Sequence, residues 1–330
     1  MKTIALFNNK GGVGKTSLAY HIAWMFADKG VSVVAADLDP QANLTGMFLE
    51  ESILESLWPK GRHPQTIQGV IEPILRGLGD IAVPELLEIQ SNLALIPGDL
   101  ELARFEDKLS ESWPKCHNGD EASFRTTSAF YRVVRKAAQD RGAQVVLIDV
   151  GPNLGAINRA ALIAADFVLI PLVPDLFSLQ GLRNVGPRLI EWRNTWTEMA
   201  KKNPNQGELP LPAGHMKPIG YVMQQHAVRQ DRPVQAYLKW AARIPAEYRE
   251  SVLNQSPEGT SEPAHDEHCL ATLRHYRSLM PMAREARKPM FFLKSADGAR
   301  GAHLAAVADC YRDFERLTAK IADACEIAYT

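Results

Sequence analysis

Apolar residues in this sequence fall into short runs that alternate with stretches of helical periodicity. The runs are apolar at successive positions, which is typical of parallel strands buried on both faces. Polar or turn-forming residues end each run. We predict strands at 3–8, 31–36, 93–97, 145–149, 167–172 and 219–223.

Helical periodicity follows several of these runs. The helix predicted at 16–29 is apolar along one face and is followed by Gly30, a common residue just past a helix end. Further helices are predicted at 128–140, 158–165 and 303–325, with short helical patterns within 50–90. Alternating strands and helices predict an α/β fold, a mostly parallel twisted sheet with helices on both faces.

The organisation of the chain predicts one domain over residues 1–330. Stretches near 111–125, 200–217 and 245–266 are rich in polar residues, proline and glycine, and we expect them to be loop insertions. Residues 270–325 form a basic C-terminal helical region.

Composition limits the function classes. The 330 residues carry a formal net charge of −1, so any nucleic-acid contact must use a local basic patch. The cysteines are far apart and show no Cys-x-x-Cys spacing, which argues against a zinc site or a disulfide framework. No stretch approaches the roughly 18 apolar residues that a membrane-spanning helix requires. We therefore expect a soluble, cytoplasmic protein that does not bind membranes.

Residues 8–17 have the composition of a phosphate-binding loop between the first strand and the first helix. Glycines let several backbone N–H groups point at one anion, and the following helix adds its N-terminal dipole. Lys15 would reach the β- and γ-phosphates and the Thr16 hydroxyl would bind Mg²⁺. The usual glycine six residues before Lys15 is replaced by Asn9. The predicted nucleotide-binding residues of the loop are Lys10, Gly11, Gly12, Val13, Gly14, Lys15, Thr16 and Ser17.

Acidic residues end two of the predicted strands. Asp37 and Asp39 follow the second strand, and Asp149 ends the strand at 145–149. Ligands bind at the carboxyl ends of strands in such sheets. An acidic group there can hold a metal-bound water or orient an attacking water.

Several motifs in order resemble the ParA family of deviant-Walker ATPases, over residues 2–240 closely and 270–320 loosely. The matching stretches are Lys-Gly-Gly-Val-Gly-Lys-Thr at 10–16, Asp-Leu-Asp-Pro-Gln-Ala-Asn-Leu-Thr at 37–45, Ile-Pro-Gly-Asp-Leu-Glu-Leu-Ala at 96–103, the region from Leu147 to Leu162, and Pro-Leu-Val-Pro-Asp-Leu-Phe-Ser-Leu-Gln-Gly-Leu at 171–182. One departure is Gly151, where the family has the first proline of its Asp-x-Pro-Pro turn.

The resemblance implies an ATP-dependent, dimerising ATPase switch that uses ATP and Mg²⁺. Lys10 would be the signature lysine, which reaches the phosphates of the partner subunit in a homodimer. Asp39 would position the attacking water, and Asp37 and Asp149 would act on Mg²⁺ through water. Adenine contacts point to Met223 and Gln224.

The resemblance also implies a function in partition. The dimer would bind DNA non-specifically on the nucleoid and would move a plasmid, chromosome or other cargo with a ParB-like or cargo-adaptor partner. Residues 271–300 hold seven basic and two acidic residues, a local charge of +5. Phosphate neutralisation by Arg and Lys suffices for such binding. The candidate DNA-binding residues are Arg229, Arg232, Arg274, Arg277, Arg284, Arg287 and Lys288.

Other functions on this scaffold stay open. A MinD-type ATPase at the membrane surface would want lysines beside the apolar face of the last helix, where Asp323 and Glu326 stand instead. An iron-protein-like reductase would need a converging cysteine pair. A biosynthetic ligase would turn over a small carboxylate with ATP. A GTPase is disfavoured because we find no Asn-Lys-x-Asp motif.

Overall fold

The computed structural model describes residues 1–224, 234–259, 262–276 and 278–329. Within them the chain forms one eight-stranded sheet in the order β3-β4-β2-β5-β1-β6-β7-β8, parallel except for the antiparallel edge strand β3. The strands are β1 Lys2–Leu6, β2 Val33–Asp37, β3 Leu87–Gln90, β4 Leu93–Ile96, β5 Val145–Asp149, β6 Phe167–Leu172, β7 Lys217–Gln224 and β8 Cys269–Leu273.

Helices cover both faces of this sheet. They are α1 Lys15–Asp28, α2 Asn43–Phe48, α3 Glu51–Leu57, α4 Ile67–Leu75, α5 Phe105–Cys116, α6 Glu121–Thr127, α7 Ala129–Arg141, α8 Ala156–Ile163, α9 Leu176–Ala200, α10 Val234–Ala241, α11 Ile244–Glu247, α12 Leu279–Ala286 and α13 Ala302–Ala324. Apolar residues of α4, α5, α7, α8 and α9 pack on one face. Those of α1, α12 and α13 pack on the other. The predicted fold class is confirmed.

Register brings the candidate residues to one edge of the sheet. Leu6 at the end of β1 and Asp37 at the end of β2 both pair with Asp149 of β5. The strands are parallel, so the glycine loop and the two carboxylates leave the sheet side by side. This is where ligands bind in open parallel sheets.

The predicted strands are all present, but two observed strands were missed. β3 is a half-exposed edge strand, and β8 lies within the region that we expected to be helical. The loop expected near 111–125 is wrong, because α5 and α6 occupy most of it. Asp120 caps α6 by accepting a hydrogen bond from the Ser123 backbone N–H at 2.9 Å. In this segment, the capping residue and the burial of the helix faces stabilise helices although the composition favours turns.

The other two expected insertions differ from each other. Residues 201–216 are irregular, as predicted. Residues 245–266 are irregular only in part, since they include most of α11, a single π-helical turn at Tyr248–Val252 and a 3₁₀ turn at Pro263–His265. Further 3₁₀ turns lie at Leu100–Arg104, Met290–Phe292 and Ser295–Asp297. Among the described residues, no helix combines the length and hydropathy needed to cross a membrane.

Candidate nucleotide-binding site

The loop between β1 and α1 folds around Lys15. Gly12 and Gly14 adopt left-handed backbone angles, with φ of +73° and +78°, which glycine takes without steric cost. The Lys15 ammonium donates to the carbonyl oxygens of Asn8 at 3.0 Å and of Lys10 at 3.3 Å. Burial lowers the pKa of Lys15, while Asp149 and Asp39 act in the opposite direction. Lys15 thus lies beside two carboxylates that favour its charged form, and it begins the helix whose N-terminus would face a bound phosphate.

Asn8 fastens the loop to the sheet. Its side-chain amide donates to the Pro171 carbonyl oxygen at 2.8 Å, and its Oδ1 accepts from the Lys10 N–H at 2.9 Å. Asn8 is buried. The loop therefore starts from a fixed point at the end of β6.

Lys10 is held by the same chain. Its ammonium forms an ion pair with Asp175 and lies 3.5 Å from the Ser178 hydroxyl. Asp175 caps α9 by accepting from the Ser178 N–H at 2.8 Å. Burial acts to raise the pKa of Asp175, but the bond from Lys10 holds it below its ordinary value. Sequence analysis missed this pair, whose members are 165 positions apart.

Asp37 is fully buried at the end of β2. Its Oδ2 accepts from the Thr45 N–H at 2.8 Å and from the Thr45 hydroxyl at 2.7 Å. Burial raises the pKa of Asp37 to about 7 despite these bonds. The backbone at Gly98 can lie close to the Asp37 carboxylate because glycine has no side chain; a Cβ at Gly98 would lie 2.8 Å from that carboxylate.

Asp149 is the most exceptional of the acidic residues. It is fully buried, and neither carboxylate oxygen has a hydrogen-bond partner of standard geometry among the described residues. Burial, followed by the charge of Asp37, raises its pKa well above the ordinary value, and the Thr16 hydroxyl and Lys15 offset this only in part. Buried polar groups are normally satisfied, so such a carboxylate needs a ligand.

The donor set around Asp149 fits Mg²⁺. Mg²⁺ usually keeps several waters and is bound by one or two carboxylates together with substrate phosphates. Thr16 and Asp149 would hold it, with Asp37 behind them. Within the described ranges, no group of three or more His, Cys, Asp or Glu side chains forms a protein-only metal cage.

Asp39 lies against the turn after β5. It is only 6% exposed, and its Oδ1 accepts from the Gln41 N–H at 3.0 Å. A Cβ at Gly151 would lie 3.2 Å from that same oxygen. The glycine that departs from the family pattern thus leaves the space in which Asp39 sits.

Two residues that sequence analysis did not assign a role organise the turn after β5. The Asn158 amide donates to the carbonyl oxygens of Gly151 at 2.8 Å and Asn153 at 2.7 Å. Glu106 accepts from the backbone N–H groups at the start of α8, at 2.5 Å from Ala156 and 2.8 Å from Ile157. The Glu106 carboxylate therefore caps α8 from a different helix. In the sequence, Glu106 lies three residues after the matched stretch at 96–103.

A cleft of about 860 Å³ opens over the loop. Its walls come from the glycine loop, α1, α2, α3, Pro152 and α12. Of the two adenine candidates, Met223 is buried in β7, whereas the Gln224 amide donates to the Gly14 carbonyl oxygen at 3.2 Å. Gln224 therefore contacts the phosphate loop itself.

Among the basic candidates that the structure describes, several are held by contacts within the chain. Arg229, Arg232 and Arg277 lie outside the described residues. Arg274 forms ion pairs with two acidic residues of α13, Asp309 at 3.1 Å and Asp313 at 3.2 Å.

The remaining three candidates lie on or just after α12 and line the cleft. Lys288 pairs with Asp297 at 2.7 Å, and Arg287 donates to the Leu49 carbonyl oxygen. Arg284 is exposed. The structure thus places these three at the edge of the nucleotide cleft and leaves Arg284 the most available to an external anion.

Comparisons with known sequences assign the chain to a family. A family model described as an AAA domain matches residues 1–200. The chain belongs to the ParA family. It is 34% identical to protein IncC of Escherichia coli over 185 residues, 56% of this chain and 44% of IncC. It is 33% identical to a ParA family protein of Chlamydia pneumoniae over 187 residues, 56% of this chain and 64% of that protein. The matched segments thus span about half to two thirds of these relatives.

Solved structures show the same fold. Protein DIP2308 of Corynebacterium diphtheriae superimposes with a TM-score of 0.70 at 22% identity, covering 98% of this chain and 99% of the other. An ATP complex of McdA from Cyanothece, solved with a variant of that protein, gives 0.60 at 17% identity, covering 100% and 98%. The deviant-Walker phosphate loop, the acidic residues at the strand ends and the ParA-type sheet therefore occur together here.

Proposed function

We propose that this ParA-family protein is an ATP-dependent switch that hydrolyses ATP slowly and dimerises when ATP is bound. The observation that carries the proposal is the buried carboxylate of Asp149 beside Lys15 and Thr16, which has no hydrogen-bond partner of standard geometry among the described residues. Such a carboxylate is costly unless a cation reaches it. A magnesium-bound nucleotide supplies that cation and also occupies the loop.

The residues divide the work as follows. Lys15 and the backbone N–H groups of the loop bind the phosphates and hold them in place. Thr16, Asp149 and Asp37 would hold Mg²⁺, which would supply positive charge beside the phosphates. Asp39 orients a water whose oxygen bonds to the γ-phosphorus while the bond to the bridging oxygen of ADP breaks. Gly151 leaves the space that the Asp39 carboxylate occupies.

Lys10 gives the switch its dependence on a second copy. In the structure its ammonium pairs with Asp175, while its carbonyl oxygen accepts from the Lys15 ammonium of the same loop. We propose that Lys10 leaves Asp175 and contacts the phosphates of a partner copy in an ATP-bound homodimer. The exposed Phe177, whose ring lies 6.0 Å from the Lys10 ammonium, would join that interface.

The proposed role is to position a plasmid, chromosome or other cargo with a ParB-like or cargo-adaptor partner. The ATP-bound dimer would bind DNA without sequence preference, and nucleoid association would follow. A homodimer would present two copies of each exposed basic side chain at the edge of the cleft. Arg284 is the main one of these side chains. Since such binding rests on phosphate neutralisation, it should weaken steeply as salt rises.

Nucleotide binding and dimerisation are tested with two lysine variants. Lys15→Ala should abolish binding of a fluorescent ATP analogue. Lys10→Ala should keep binding but lose the ATP-dependent dimer that light scattering detects in the wild type. Retained micromolar ATP affinity in Lys15→Ala, or an intact ATP-dependent dimer in Lys10→Ala, would contradict the assignments.

The DNA role is tested by co-sedimentation with duplex DNA and with anionic liposomes, each with ATP and with ADP. We expect ATP-dependent binding to DNA that falls as salt rises, and no binding to liposomes. ATP-dependent binding to liposomes in place of DNA would replace this proposal with a membrane-surface positioning ATPase of MinD type.

A further inference from the structure

Arg287 joins the end of α12 to the end of α2. It follows α12 with a left-handed backbone, φ +50° and ψ +44°, a conformation that usually calls for glycine because a Cβ crowds the backbone there. Its guanidinium donates to the carbonyl oxygen of Leu49, the residue that directly follows α2. Arg287 thus has a strained backbone, and its side chain bonds a residue 238 positions earlier in the chain.

The helix α2 carries the end of the first switch, residues 37–45. At its start, the Thr45 N–H and hydroxyl donate to Asp37 at 2.8 and 2.7 Å. The Ala42 N–H donates to the Asp39 carbonyl oxygen at 2.8 Å, so the turn that holds Asp39 runs directly into the helix. The helix is therefore tied to the sheet at one end and to Arg287 at the other.

The segment that carries Arg287 is itself fixed to α1. The Met290 N–H donates to Nε2 of His21 at 3.1 Å, and His21 is completely buried in α1. Lys288 is fixed by its ion pair with Asp297. Since α1 begins with Lys15, Arg287 connects the helix of the phosphate loop to the first switch through short, ordered links.

We infer that Arg287 is a positioning residue for the first switch, acting on Asp39 through α2. The inference rests on the proposed role of Asp39 for its effect on hydrolysis. The contact to Leu49 itself is independent of that role. In this view Arg287 serves the switch within its own chain, which differs from the DNA contact that its sequence context suggests.

Two substitutions separate the side chain from the backbone. Arg287→Gly removes the guanidinium and relieves the left-handed strain, whereas Arg287→Ala removes the guanidinium and keeps the strain. We expect amide hydrogen exchange at residues 46–49 to be at least about threefold faster in both variants. Only Arg287→Ala should have a lower melting temperature. Arg316→Ala, an exposed arginine on α13, is the matched control and should change neither measurement.

Steady-state ATPase measurements add the functional readout. Both Arg287 variants should show a several-fold lower kcat with KM for ATP unchanged, because the phosphate loop is intact. Wild-type exchange at 46–49 in Arg287→Gly would overturn the inference, as would a melting temperature lower in Arg287→Gly than in Arg287→Ala. If neither the wild type nor any variant hydrolysed ATP, the proposed function would be refuted. The contact between Arg287 and Leu49 would still be tested by amide hydrogen exchange.

Discussion

His21 makes the stability of this protein depend on pH in a predictable direction. Its imidazole is fully buried in α1 and uses both nitrogens: Nδ1 lies 2.7 Å from the Ser17 carbonyl oxygen, and Nε2 lies 3.1 Å from the Met290 N–H. The first nitrogen must donate and the second must accept, which fixes the neutral tautomer. A second proton would face the Met290 N–H and break the link between α1 and the segment after α12.

The size of the effect follows from the pKa. Burial lowers the pKa of His21 from 6.5 to about 4. The folded pKa is below the unfolded one, so the unfolded chain takes up the proton first and stability is lost as pH falls from 6.5 to 4. At about 1.4 kcal/mol per pH unit the complete loss is about 3 kcal/mol. About 2 kcal/mol of it should be lost between about pH 8 and pH 5.

Urea unfolding followed by tryptophan fluorescence at pH 8 and pH 5 measures this loss. Asp37 acts with the opposite sign, because its folded pKa of about 7 lies above the unfolded value and favours the folded state as pH falls. The comparison is therefore made against His21→Gln, which keeps Asp37 but cannot titrate at position 21. We expect the free energy of unfolding of the wild type to fall by about 2 kcal/mol more than that of the variant.

Two results would refute this reasoning. One is a difference between wild type and His21→Gln that is the same at both pH values. The other uses the wild type alone, in case the variant does not fold: an NMR titration in which the His21 ring shifts near its ordinary pKa of about 6.5 would show that the ring is free to take up a proton in the native state.

Further predictions concern single contacts. Gly151→Ala places a methyl group 3.2 Å from Asp39 Oδ1 and should lower ATPase kcat several-fold with unchanged nucleotide affinity; an unchanged kcat would be evidence against a close Gly151–Asp39 packing. Gly186→Ala puts a Cβ 1.8 Å from the Ser251 carbonyl oxygen and should cost at least about 1–3 kcal/mol in urea unfolding; a wild-type midpoint would contradict it. Glu106→Gln keeps the shape but loses the charge that caps α8, and should cost about 1 kcal/mol with faster exchange at the first amides of α8.

Local patterns in the sequence were sufficient to predict the sheet and the phosphate-binding loop. Runs such as 145–149 are apolar on both faces, which only a covered parallel strand explains. Because parallel strands share one ligand-binding edge, the strand pattern alone predicts that Asp37 and Asp149 lie at the same edge of the sheet. By contrast, α6 was missed because its capping residue, Asp120, also favours turns.

Contacts between distant parts of the chain could not be predicted in this way. Lys10 with Asp175 and Arg287 with Leu49 are pairs whose members carry no periodicity that marks them as neighbours. Each pairing depends on how loops leave the sheet, and a shift of a few ångströms would abolish it. The motif order located the site, but the partners of its charged residues required the tertiary structure.

The pairing of Lys10 adds a constraint on the proposed switch. A Lys10 ammonium that bonds Asp175 has part of its charge neutralised and fewer N–H donors left for the phosphates of a partner copy. In the proposed switch, contact with a partner's nucleotide therefore competes with a charge-assisted bond at the N-terminus of α9, and it must offset the cost of weakening that bond. A partner copy without a γ-phosphate offers less negative charge to Lys10, so the proposed exchange is favoured by ATP over ADP. Competition for Lys10 thus gives a physical reason why association should depend on the nucleotide.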